Sequence, residues 1–92
     1  MRKIFKYPIQ ITDEQKLVLP KGAEILCVKV IDNNLMADAC IYALIDGEQE
    51  IKVERSLIIY GIGHLISDNA NHKYIGTFQK SGFVGHLFED LA

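Results

Sequence analysis

Apolar side chains recur at every second position along much of this chain, and helical spacing is nearly absent. Phe5, Tyr7, Ile9 and Ile11 alternate with Lys6 and Gln10, as a strand with one buried face requires. Pro8 lacks a ladder donor, which places that strand at a sheet edge or a bulge. Thr12-Asp13-Glu14-Gln15 could cap a helix. Only Lys16 to Leu19 follow before Pro20, so the segment reads as a turn and a short strand. Pro20-Lys21-Gly22 predicts a tight turn with Gly22 at positive φ. From Glu24 to Ile31 both parities are apolar, the pattern of a strand covered on two faces.

Two dipeptides then suggest a register. Asn33-Asn34 fits a two-residue hairpin loop, which sets Lys29 opposite Asp38, Cys27 opposite Cys40 and Ile25 opposite Tyr42. Asp46-Gly47 is a second hairpin signal, setting Tyr42 against Ile51, Cys40 against Val53 and Asp38 against Arg55. Lys29, Asp38 and Arg55 then form one row with a carboxylate between two cations, expected as a structural salt bridge more than a substrate-binding cluster. The two cysteines read as reduced thiols filling small core volumes. With no CxxC and no neighbouring histidine, neither a metal site nor a cofactor is expected.

Between Glu50 and Ser56 the alternation sends Lys52 and Glu54 to water, whereas Leu57 to Tyr60 is apolar on both faces and should be covered. A last hairpin turns at Ser81-Gly82, pairing Ile75 with Phe88, Thr77 with His86, and Phe78 with Gly85, an aromatic over a bare glycine backbone. The expected fold is all-β: one domain over residues 1–92, a mostly antiparallel meander of about six or seven strands closing as a barrel or a two-layer sandwich.

Composition bounds the function. A chain of 92 residues, 49% hydrophobic and 24% charged, is a folded domain. It buries only about 60 to 65% of its unfolded surface, so a thin core and homo-oligomer formation are expected. A net charge of −2 excludes the electrostatic footprint of a nucleic-acid polymer binder. The Arg2, Lys3, Lys6 cluster reads as a solvated strand face. No apolar run approaches the roughly 18 residues of a membrane span. The charged N-terminus lacks a following apolar region because Pro8, Gln10 and Asp13 interrupt it, so a cytoplasmic protein is expected.

The chemistry-bearing stretch runs from Leu57 to Phe78. Gly61 and Gly63 can turn backbone N–H groups toward one concavity, His64 can add a donor or a proton, and Asp68 and Tyr74 complete a candidate ligand site. The competing reading is a tight turn that His64 caps. A hydrolase would use His64 as base, Asp68 to orient it and Ser67 or water as nucleophile. Residues so close on one loop need unusual support to align, so no catalytic residue is assigned. His72 is expected to be solvated, and His86 to be satisfied by Thr77.

Blocks spread along the chain, Phe5-Lys6-Tyr7-Pro8, Pro20 to Leu26, Tyr42 to Asp46, Tyr60-Gly61-Ile62-Gly63-His64, Tyr74 to Phe78 and His86 to Glu89, together resemble a family of small phage and prophage proteins. Relatives there tend to carry Trp at the positions of Phe5 and Tyr42 and Gly-Thr-Gly-His at Gly61 to His64, so Ile62 replaces a hydroxyl-bearing residue. The resemblance implies a phage-related origin and assigns no activity. The expected function is a non-catalytic binding protein acting on a host factor or defence system in the host cytoplasm. The alternatives are a sequesterer of a phosphate-bearing small molecule, such as a signalling nucleotide, at the Gly61 to His64 turn, and a His64-dependent hydrolase.

Overall fold

The computed structural model describes residues 1–31 and 37–91. They form seven strands: β1 (Arg2–Ile9), β2 (Glu14–Pro20), β3 (Glu24–Val30), β4 (Ala39–Asp46), β5 (Lys52–Gly61), β6 (His72–Lys80) and β7 (Phe83–Asp90). Two antiparallel sheets result, ordered β1-β4-β3 and β2-β5-β7-β6. Their stacking gives a sandwich whose shortest Cα dimension is 16 Å, as expected of two twisted layers about 10 Å apart. The barrel alternative is thereby settled in favour of the sandwich.

The chain does not meander from neighbour to neighbour. Among the described residues only β3–β4 and β6–β7 are sequential pairs, while β1 joins β4 and β2 joins β5 across intervening strands. Inward-facing Ile9, Ile25, Val28, Ile41, Ile45 from one sheet and Leu19, Leu57, Ile59, Phe78, Leu87 from the other make the core. Small residues Ala39 and Ala43 on the central strand β4 let the layers approach.

The hairpin at Asp46-Gly47 does not form, and the reason lies in turn geometry. A two-residue type I′ loop needs positive φ at both central positions, and Gly47 does not adopt it. Asp46 instead opens the turn: its carbonyl accepts Gln49 N–H (3.1 Å) and its Oδ1 accepts Glu48 N–H (3.0 Å). The chain then leaves the first sheet and starts β5 in the second, so Tyr42–Ile51, Cys40–Val53 and Asp38–Arg55 are not partners.

The β3–β4 register is also offset from the expected one. Lys29 lies opposite Cys40, Cys27 opposite Tyr42 and Ile25 opposite Ala43, with a bulge at Leu26. Asn33-Asn34 lies outside the described residues; Ile31 N–H donates to Asp38 C=O at 3.1 Å where the strands converge. Cys27 and Cys40 are therefore diagonal neighbours on one face, both free thiols. The bulge also explains why β3 is not covered on two faces: Ile25 and Val28 turn inward together, and Leu26 and Lys29 are exposed.

Two separate ion pairs replace the expected Lys29, Asp38, Arg55 row. Arg55 pairs with Glu89 from β7. Asp38 lies 3.7 Å from Lys80, whose Nζ also donates to the carbonyls of Ile31 (2.8 Å) and Asp38 (3.1 Å). Asp38 Oδ2 accepts Ile11 N–H at 2.8 Å, so this residue ties the exit of β1 to the ends of β3 and β6. Lys29 is exposed on edge strand β3.

Other turns follow the sequence. Ala23 N–H reaches Pro20 C=O (3.1 Å) with Gly22 at φ +84°, a type II turn. Ser81 and Gly82, at φ +52° and +83°, form the β6–β7 hairpin. Its register sets Thr77 opposite His86 and Phe78 opposite Gly85 as expected, and a bulge at Ile75 makes Tyr74, not Ile75, the partner of Phe88.

Candidate functional site

The β5–β6 connection carries most of the candidate residues, and its first turn is self-capped. Gly63 takes φ +83°, His64 N–H donates to Gly61 C=O (3.3 Å), and His64 Nδ1 accepts Gly61 N–H (3.0 Å). That bond makes Nδ1 the acceptor and leaves the proton of the neutral ring on Nε2. Two of the amides that an anion cradle would use are thus engaged within the turn.

Asp68 is not brought to His64. It is exposed in a second turn, where Ala70 N–H donates to Ser67 C=O (3.0 Å) and Ser67 Oγ accepts Asn69 N–H (3.2 Å). Among the described residues no hydrogen bond joins His64, Asp68 and Ser67, so the hydrolase alignment is not assembled. Tyr74 belongs to another place, the outer face of the four-stranded sheet.

That outer face holds a constellation the sequence did not reveal. Cross-strand rows place Tyr60 beside His86 and Thr77, Ile58 beside Phe88 and Tyr74, and Ser56 beside Asp90 and His72. Phe88 is the hub: the rings of Tyr60, His72 and Tyr74 lie 5.6, 5.8 and 5.4 Å from it, the two tyrosines edge-on. Tyr60 Oη and His72 Nδ1 are 3.4 Å apart, and His72 Nε2 lies 4.0 Å from Asp90. Tyr74 Oη, Thr77 Oγ1 and His86 Nδ1 form a chain of 2.5 and 2.9 Å contacts. His72 is half-buried here, not solvated, while His86 meets Thr77 as expected.

Two shallow grooves flank this face. One of about 410 Å³ is lined by Asp13, Glu14, Ile58, Tyr60, His64 and Leu65. The other, about 270 Å³, runs past Glu14, Lys16, Ser56, Ile58 and Asp90, with Lys16 Nζ donating to Ser56 Oγ at 2.6 Å. Among the described residues no cluster of three or more His, Cys, Asp or Glu side chains could hold a metal ion. No helix there is long and apolar enough to cross a membrane.

The loop itself exposes large aliphatic side chains. Leu65 is 96% and Ile62 77% accessible, and Ile66 is also exposed. Besides the His64 and Ser67 caps, Leu91 N–H donates to Asn71 C=O (2.8 Å) where the loop rejoins the sheet. The sequence signal for this feature was present in Ile62, Leu65 and Ile66, an apolar set among the glycines, Asp68, Asn69 and Asn71 of a connection.

No curated protein and no solved structure matches the chain. One family model, described as Domain of unknown function (DUF7352), matches residues 1–92. A match over that whole span means that the chain is a member of the DUF7352 family.

Proposed function

We propose that this chain is a small, non-catalytic, self-associating binding protein of phage-related origin that docks a host protein through the apolar loop between β5 and β6. The observation that carries the reading is Leu65, 96% exposed on a loop whose turns are internally hydrogen-bonded. Exposed aliphatic surface gains about 25 cal/mol per Å² when a partner removes it from water. Bracing the loop beforehand lowers the ordering cost of docking. Open grooves and an apolar rim suit a macromolecular partner better than an enclosed small ligand. The phosphate-sequestering alternative is weakened by the engagement of Gly61 N–H and His64 N–H within their own turn.

Affinity capture from host lysate, comparing the wild type with an Ile62→Asp/Leu65→Asp double variant, tests this. A specific protein should appear in the first eluate and be missing from the second. Identical eluates from two folded proteins would reject the loop as the docking element.

A further inference from the structure

Strand β1 is left incomplete in two independent ways. The first is its backbone. Among the described residues β1 ends its sheet, with β4 as its only neighbour in the order. Gly47 N–H donates to Met1 C=O at 3.1 Å and continues the register in which Arg2 opposes Asp46. Hydrogen-bonded pairs recur every second residue in an antiparallel ladder, so Lys3, Phe5 and Tyr7 bond to β4. Arg2, Ile4 and Lys6 therefore direct their N–H and C=O groups away from it. Pro8 falls in the same outward set, where a missing donor does no harm.

The second is the side chains. Lys3, Phe5 and Tyr7 share the face of the buried residues they oppose, Ile45, Ala43 and Ile41. The second sheet covers Tyr7 only in part and stops short of Phe5, which is 49% exposed. Phe5 and Tyr7 meet edge to face at 5.7 Å, Lys3 Nζ sits 5.2 Å over the Phe5 ring, and an open groove of about 210 Å³ runs past them to Pro20 and Lys52. On the opposite face Ile4 is 61% exposed. The edge is cationic through Arg2, Lys3, Lys6 and Lys52. The nearby acids Asp46 and Glu48 already lie 3.7 and 3.8 Å from the Met1 ammonium.

We propose that β1 accepts an added strand from a partner protein, an extended segment that alternates acidic and apolar residues. Its backbone completes the ladder on Arg2, Ile4 and Lys6, the general mode of strand addition. Its inward apolar side chains fill the groove over Phe5 and Tyr7, and its carboxylates, on the opposite face by the two-residue period of a strand, meet Arg2 and Lys6. The charge selects the occupant. A second copy pairing antiparallel about Ile4 would set Arg2 against Lys6 across the two-fold axis, and like charges directly opposite are destabilising. Edge lysines of this kind blunt self-pairing, so the side chains that repel a copy favour an acidic segment. This surface is separate from the Leu65 loop and does not depend on it.

The test uses a fluorescein-labelled peptide alternating Glu and Val, with a Lys-Val peptide of equal length as control, read by anisotropy and by amide shifts of the labelled protein. The Glu-Val peptide should bind and shift the amides of Arg2, Ile4 and Lys6, while the Lys-Val peptide should not. Arg2→Glu/Lys6→Glu, a change at two exposed positions on one face of β1, should weaken binding by about tenfold or more, as expected when two cross-strand ion pairs turn repulsive. Ile4→Pro removes an outward N–H while leaving the charges, and should also weaken binding. No anisotropy change, amide shifts lying elsewhere, or equal affinity for wild type and the charge-reversed variant would each overturn the proposal.

Discussion

Arg55 holds the buried carboxylate of Glu89 with two nitrogens, Nε on Oε2 and Nη2 on Oε1, while Nη1 donates to Ala23 C=O at 2.9 Å. Glu89 is 4% exposed and is the one buried charged residue among those described. The hydrogen bond to Glu89 raises the Arg55 pKa further above its already high ordinary value, so the guanidinium stays charged. This pair ties β5 and β7 to the turn that leads into β3. Removing one partner leaves the other charge buried alone, so Arg55→Ala should destabilise by about 3 to 5 kcal/mol. Arg55→Met combined with Glu89→Leu should recover most of that loss, and urea denaturation of the three proteins measures both effects.

A Cβ at Gly85 would sit 2.5 Å from Phe78 Cζ and 2.9 Å from Phe83 Cε2. Phe78 is buried over the glycine, so its rigid ring would have to shift within the core to make space. Gly85→Ala should therefore cost about 1 to 3 kcal/mol through overpacking. Phe78→Leu should be less damaging in that background than alone, and the coupling appears in a double-mutant cycle of chemical denaturation.

Burial pushes the Cys40 thiol and the Tyr7 phenol up from their ordinary values of 9.0 and 10.0, with Lys6 partly offsetting the effect at Cys40. A raised folded-state pKa means that the folded chain holds protons the unfolded chain releases. Their contribution is complete below the unfolded values and is lost as pH rises through the folded ones. Thermal stability should hold up to about pH 9 and fall above it. Cys40→Ala should flatten the first part of that fall, and melting curves across the alkaline range record it.

His64→Ala should leave global stability nearly unchanged, because the ring is exposed and caps only its own turn. Losing one neutral hydrogen bond of about 1 kcal/mol should speed hydrogen exchange at the Gly61 amide by roughly five- to tenfold, with the β7 core amides unaffected.

What the sequence conveyed was local. The Pro20-Lys21-Gly22 turn, the Ser81-Gly82 hairpin and the cover of Phe78 over Gly85 each depend on residues close in the chain or on one short loop. Asp46-Gly47 misled because the same dipeptide serves two turn types, and the side chain of Asp46 chose between them by capping Glu48. Pairings of β1 with β4 and β2 with β5 skip intervening strands, and no turn residue encodes them. A clue to the Arg55–Glu89 pair was present: each interrupts the apolar parity of its strand with opposite charge. The ring cluster around Phe88 left no such trace, since its members come from three strands and the Ile75 bulge changes which residue Phe88 meets.

The reading of the β5–β6 loop as a docking element is tested most directly by placing a photo-crosslinking amino acid at Leu65, with Gln79 on edge strand β6 as the control position, and irradiating host cells that express each protein. A single discrete adduct at position 65 and none at position 79 is the predicted result. No adduct at 65, or the same adducts at both positions, would contradict it.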